Sequence, residues 1–252
     1  MLPKQHLSAS QVNMYLRCPR QYYYRYVEGI KLPPRSAMTF GKATHSAIEF
    51  NLKQKKETRE DLKLNDVQEY FAATFEELAS ETEFAKDEDP GQMKDEGIVI
   101  VSLHHTEVAP KIQPIEVEEE FIVEFENADY VFKGFIDTVD EQGYIRDTKT
   151  ANKRPAKSAA KQSLQLTAYA LGYCLKYGEE EKGVLLDYLV RNKKPVYVPL
   201  EDTRTQRQID RFLNIVGYVA EGIKTKLFFP NVTGMLCSEK WCGYWDRCNK
   251  DI

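Results

Sequence analysis

The stretch 115-IEVEEEFIVEFENADYVFKGFIDTVDEQGYIRDTKT-150 decides how this chain folds. Apolar and polar residues alternate along it with period two. It is also rich in β-branched and aromatic side chains, which suit strands with two unlike faces. The pattern breaks at Glu126-Asn127 and again from Asp140 to Gly143, so it predicts a three-stranded meander. Side chains two apart on a strand share a face, which sends Asp147 and Lys149 one way and Arg146 and Thr148 the other. With a turn at 140–143, Asp137 on the preceding arm can sit beside Asp147. Two carboxylates so placed repel unless something positive lies between them. A hard cation such as Mg²⁺ or Mn²⁺ satisfies both, with water and substrate phosphate completing its shell. Lys149 would then reach whatever the cation polarises, and the set suggests phosphodiester hydrolysis. The spacing alone fits equally well a solvent-facing hairpin whose Asp and Lys pair weakly.

On the N-terminal side, 7-LSASQVNMYLRCPRQYYYRYVEGI-30 has helical spacing behind an N-cap at Ser8 or Ser10, and Pro19 splits it in two. The segment 39-TFGKATHSAIEFNLKQKK-56 reads as a helix burying Ala43, Ala47, Ile48 and Phe50, with His45 in its first turns. Residues 58–110 are charged and helical in pattern, with a stripe of Val67, Tyr70, Phe71, Phe75 and Leu78, and read as a helical insertion or cap. Beyond the meander, 157-KSAAKQSLQLTAYALGYCLKYG-178 reads as one helix closed by Gly178. Two strands joined by 191-RNKKP-195, a helix over 203–224 and a cysteine-rich tail over 225–252 complete the chain. The order predicts an α/β fold, a central mixed β-sheet flanked by helices, in a single domain spanning 1–252.

The chain has 252 residues, 42% hydrophobic and 29% charged, enough to bury a core. Its formal net charge of −4 gives no global basic footprint, so any polyanion site must be local. No basic flank precedes an apolar run at the N-terminus and no stretch is long enough to span a membrane, so a cytoplasmic location without membrane partners is expected. In a reducing compartment its five cysteines favour metal ligation or burial over a disulfide framework. Cys174, within an apolar helix, reads as core.

Four ordered motifs resemble those of the PD-(D/E)XK nucleases, and within them the RecB-like exonucleases, including CRISPR-associated and phage members. "GKATH" is similar to the family's Gly-x-x-x-His helix, which would make His45 a metal ligand. "GFID" resembles the strand of the first metal-binding acid, Asp137. "DTK" resembles the (D/E)-x-K strand, with Asp147 as second acid and Lys149 as catalytic lysine. "QLTAY" resembles the Gln-x-x-x-Tyr helix, so Gln165 and Tyr169 would flank the site; four apart, they share a helix face. The resemblance implies a restriction-endonuclease-like core and a metal shell completed by the backbone carbonyl of Thr148.

Cys18 near one end and Cys237, Cys242 and Cys248 near the other could bind a metal and staple the termini. RecB-like nucleases of the iron–sulfur type resemble this one-plus-three arrangement, which implies a [4Fe-4S] cluster. The spacing departs from many members, with four residues in "CSEKWC" before five in "GYWDR", and Zn²⁺ or reduced, unligated thiols stay open. The tyrosines at 22, 23, 24 and 26 are expected to pack mostly around this site. Lys153, Arg154 and Lys157 follow the (D/E)-x-K strand and could contact phosphates. The expected function is a Mg²⁺- or Mn²⁺-dependent deoxyribonuclease, an exonuclease acting on single-stranded DNA or duplex ends in repair, recombination or phage DNA processing, with a helicase or recombination protein as a possible partner. The alternatives are a non-catalytic DNA-binding or assembly subunit on the same fold, and a structural zinc protein.

Overall fold

Strand β4 (Tyr144–Ala151) carries the D-x-K tripeptide, and its two neighbours explain its position. It pairs antiparallel with β3 (Val131–Asp140) through a tight turn, and parallel with β5 (Gly183–Val190) along its whole length, from Tyr144↔Gly183 to Ala151↔Val190. The turn is built by Asp140, whose Oδ1 accepts the N–H groups of Gln142 and Tyr144, both at 3.0 Å. Gly143 closes it at φ +83°, a conformation that disfavours any Cβ. The parallel pair needs a crossover, supplied by α6 (Ala159–Gln162) and α7 (Leu164–Tyr177). Central β5 is almost wholly buried and reads GVLLDYLV, a near-continuous apolar run suited to a strand covered on both faces.

The computed structural model describes residues 2–251. The chain divides into two compact units, one of Pro33–Glu119 and Phe135–Arg204, the other of Met1–Leu32, Glu120–Gly134 and Thr205–Ile252. Strands β2 (Pro114–Glu124) and β3 have residues in both. The sheet order is β1-β3-β4-β5-β6, with β2 also paired to β3, β1 being His6–Leu7 and β6 Val196–Asp202. Parallel and antiparallel pairs coexist, so the sheet is mixed, as the α/β expectation requires.

In the first of these units, α3 (Ser36–Thr58) and α7 cover β4 from opposite faces. A Cβ on Gly41 of α3 would stand 3.6 Å from Thr150 Oγ1, while α7 meets the other face, where Lys149 Nζ donates to Gln165 Oε1 at 3.1 Å. Helices α4 (Leu64–Ala79) and α5 (Pro90–Leu103) bury Val67, Phe71, Phe75, Met93, Ile100 and Val101. These share one core with Phe40, Ala43, Ala47, Ile48 and Leu52 of α3 and with Leu189 of β5. Close approach of α4 to α5 depends on Gly97, where a Cβ would fall 1.9 Å from Phe71 Cζ.

In the other unit, Pro19 separates α1 (Ala9–Arg17) from α2 (Pro19–Tyr22), and Ser8 caps α1. Helix α8 (Gln206–Lys224) opens with a capping box of Thr205 and Gln208 and buries Phe212, Val216, Val219 and Ile223. Phe212 meets Phe132 edge to face at 5.2 Å. Helix α9 (Trp245–Asp251) ends the described chain. No helix among the described residues is long and apolar enough to cross a membrane.

Three local expectations are corrected. The helix expected over 157–178 breaks at Ser163, whose extended backbone (ψ 110°) ends α6 and whose Oγ accepts Leu166 N–H to start α7. Phe50 lies on the exposed side of α3, where its ring stacks on Tyr70 at 4.3 Å. Cys174 is exposed, because α7 turns Tyr169, Ala170 and Tyr173 inward instead.

Candidate active site

The β3–β4 register pairs Thr138 with Arg146 and Val139 with Ile145, and continued by one residue it sets Asp137 directly opposite Asp147. Residues so paired share a face with Cβ atoms ~5 Å apart. Asp147 is fully buried, and neither of its oxygens accepts a hydrogen bond. Lys149 Nζ comes within 2.8 Å of Oδ1 as an ion pair, off hydrogen-bond geometry. Burial raises the Asp147 pKa well above the carboxylate range, the charge of Asp137 raises it further, and Lys149 opposes both. The site thus brings two carboxyl groups together in a dry place that disfavours charging both.

From Lys149 a chain of polar contacts returns to Asp137. Lys149 donates to Gln165 Oε1 at 3.1 Å, Gln165 Nε2 donates to Tyr169 Oη at 2.6 Å, and Tyr169 donates to Asp137 Oδ1 at 2.7 Å. The four-residue spacing of Gln165 and Tyr169 on α7 makes this chain possible. Tyr169 is buried, and desolvation followed by the charge of Asp137 pushes its phenol well above the ordinary range. Desolvation disfavours the Lys149 ammonium, but Asp147 and Asp137 outweigh it and its pKa is raised.

His45 enters from α3. Its Nδ1 lies 3.6 Å from Asp137 Oδ2, and its Nε2 lies 2.6 Å from Glu118 Oε1. The Glu118 hydrogen bond is the main reason that the imidazole is pushed up to about 9; burial opposes it, and Asp137 and Asp147 add to it. His45, Glu118 and Asp137 each offer a ligand atom, and the three lie within 4.8 Å of one another. Thr148 lines the same small cleft.

Glu118 is the residue that the sequence reading missed. It sits in β2 at φ +56°, the left-handed region, where a non-glycine residue in a strand marks a bulge. The buried positions of β2 are Pro114, Val117, Phe121 and Val123, so strict alternation is lost over its first half. The available signal was three consecutive glutamates, 118–120, where alternation fails.

Other expected site residues lie elsewhere. Lys153, Arg154 and Lys157 are exposed in the loop after β4, outside the cleft. The base of that loop is held by Arg191, whose Nε and Nη2 donate to Asn152 Oδ1 at 2.9 and 2.7 Å and whose guanidinium lies over the Phe40 ring at 3.9 Å. Behind the site, Arg146 turns away from Asp147 and binds Asp140 and buried Asp187, both at 3.1 Å.

A second centre lies in the other unit. Cys18, Cys237, Cys242 and Cys248 all line one cavity of about 430 Å³, largely apolar otherwise, with Arg20, Gln21, Tyr24 and Tyr244. Gln21 Nε2 donates to Cys242 Sγ at 3.3 Å, and the Asn231 N–H donates to Cys18 Sγ at 3.4 Å. Burial first, then Cys242 and Cys18, push the Cys237 thiol up, so these sulfurs feel one another. Among the described residues no three of them come within 4.8 Å of one another. Of the tyrosines, Tyr24 packs with Cys242 and Tyr244, Tyr23 and Cys248 adjoining, whereas Tyr22 and Tyr26 meet each other at a tilt, ring centres 4.9 Å apart.

The mixed sheet and its flanking helices are those of a restriction-endonuclease-like fold. A model of the PD-(D/E)XK nuclease superfamily matches residues 6–249, and the chain belongs to that superfamily. It is similar in fold to a solved Eubacterium rectale protein titled "Putative exonuclease", with TM-score 0.62 and 10% identity over 96% of this chain and 88% of that one. A second solved structure, SSO0001, matches at TM-score 0.39 and 16% identity over 81% of this chain and 96% of that one. No curated protein matches the chain.

Proposed function

We propose that this protein is a metal-dependent deoxyribonuclease, acting as an exonuclease on DNA ends. The observation that carries the reading is Asp147, fully buried, opposite Asp137 and without a hydrogen bond to either oxygen. Buried polar atoms are almost always satisfied, so a buried carboxylate with one ion pair and no hydrogen bond calls for a further partner. His45, Glu118, Asp137, Asp147 and the carbonyl of Thr148 form an oxygen-rich donor set that fits Mg²⁺ or Mn²⁺. A divalent cation held there would polarise a phosphate oxygen and lower the pKa of a water.

The chain's own residues do the rest. Asp147 and Gln165 hold the Lys149 ammonium from two sides, aimed where it can orient an attacking water or stabilise charge developing on the phosphate. Tyr169 fixes Asp137 and, through Gln165, the lysine, so the two catalytic strands stay in register with α7. Lys153, Arg154 and Lys157 are free to meet the DNA backbone without reading its sequence.

The four-cysteine cavity supports a [4Fe-4S] cluster over zinc. A zinc tetrahedron with Zn–S bonds of ~2.3 Å needs sulfurs about 3.8 Å apart, closer than any three of these stand. A cluster spans a wider cavity, and two N–H groups already point at its sulfur ligands.

Linear single- and double-stranded DNA incubated with Mn²⁺, Mg²⁺ or EDTA, comparing the native protein with Lys149→Ala, tests the reaction. Metal-dependent degradation lost in the variant supports it. DNA retention without degradation by the native protein favours a binding subunit instead. Absorption spectra and iron analysis of anaerobically purified protein test the cluster.

A further inference from the structure

Arg20 stands two residues after Cys18 at the start of α2, and it lines the cavity shared by the four cysteines. Its backbone N–H donates to Phe229 O at 3.2 Å, which ties α2 to the segment leading to Cys237. Its guanidinium carbon lies 5.5 Å from the Tyr23 ring centre and 5.4 Å from that of Tyr24, so the cation rests against both rings. Its Nε is buried and has no hydrogen-bond partner. Among the described residues no carboxylate lies within ion-pair distance of it, although arginines this enclosed normally have one.

Neutral donors already serve two of the sulfurs, Gln21 at Cys242 and Asn231 at Cys18. Four thiolates ligating a cluster carry four negative charges into an apolar cavity, and the electron that reduces the cluster adds another. A fixed cation beside them stabilises the reduced state over the oxidised one, because cluster potential follows net charge and donors to sulfur. Arginine suits the task, since it cannot deprotonate.

We propose that Arg20 is a positioning residue of the cysteine centre, supplying the countercharge that holds its thiolates and sets its reduction potential. The inference rests on the cluster reading. Iron and sulfide analysis of the native protein tests that reading separately, and native protein without iron overturns it before any variant is made.

With the cluster present, its potential is followed by electron paramagnetic resonance during dithionite titration of the full chain, for native protein, Arg20→Met and Arg20→Lys. Arg20→Met keeps an apolar stem against the tyrosines and removes the charge. It is expected to shift the oxidised-to-reduced ratio at fixed potential at least tenfold toward oxidised, which for a one-electron couple is about 59 mV more negative. Arg20→Lys is expected to stay within about threefold of native. A native potential in Arg20→Met overturns the proposal. If Arg20→Met folds, by circular dichroism, but holds no iron, Arg20→Lys decides: cluster retention supports the charge role, and iron-free Arg20→Lys, which keeps the charge, overturns it.

Discussion

Replacing Asp147 with Asn should make the metal-free protein more stable while abolishing its reaction. Asp147 lies at 0% side-chain exposure, opposite Asp137, with neither oxygen hydrogen-bonded. Two unit charges ~5 Å apart repel by about 3 kcal/mol at an effective dielectric of 20. Lys149 offsets part of this, but its side chain is 40% exposed and its attraction is screened accordingly. Two unsatisfied buried oxygens then leave a penalty of about 1–3 kcal/mol. Asn removes the charge and offers an N–H to Asp137, whose Oδ2 lies 3.6 Å from His45 Nδ1. Thermal melts in EDTA should therefore place Asp147→Asn about 2–12 °C above native protein. Added Mn²⁺ should raise the native melt, because a ligand that binds only the folded state stabilises it, and should leave the variant nearly unmoved. A variant less stable than native protein in EDTA would refute the argument, since Asp147 would then be well satisfied without a cation.

Three other outcomes are expected. Glu118→Gln should raise the Mn²⁺ concentration for half-maximal activity about 10–100-fold, whether Glu118 ligates directly or only orients His45; an unchanged titration would place Glu118 outside the centre. Gly97→Ala should cost about 1–3 kcal/mol in urea unfolding, because its Cβ would fall 1.9 Å from Phe71 Cζ and α4 and α5 must separate. His104 is fully buried, and desolvation pulls its pKa down to about 3, against the charge of Asp61 and with His105, Arg146 and Lys55 assisting. The folded state therefore refuses a proton that the unfolded chain accepts below about pH 6.5, so this contribution is complete above that pH and is lost as pH falls toward 3. Between pH 6.5 and 4.5 native protein should lose about 2–3 kcal/mol more than His104→Gln in urea unfolding; equal losses would mean that His104 is hydrated.

Local pattern carried a large share of this architecture. Period-two alternation over 115–150 was enough to find β2, β3 and β4, because a strand's side chains leave alternate faces whatever packs on them. The same rule put Asp147 and Lys149 on one face, and the four-residue spacing on α7 brought Gln165 and Tyr169 together. Pro19 and Gly178 ended their helices by backbone constraints that no partner alters.

Tertiary structure decided what distant elements do to one another. Glu118 meets His45 from a left-handed backbone position in β2, a departure from the regular pattern by which strands are read. Phe50 and Cys174 were misjudged because a helix's apolar stripe says which residues could be buried, while the neighbouring helix or strand chooses which ones are. The orphaned oxygens of Asp147 and the unpaired Nε of Arg20 are likewise invisible in one dimension. Burial and hydrogen bonding are properties of the packed chain, and in this protein both of its candidate metal centres are defined by them.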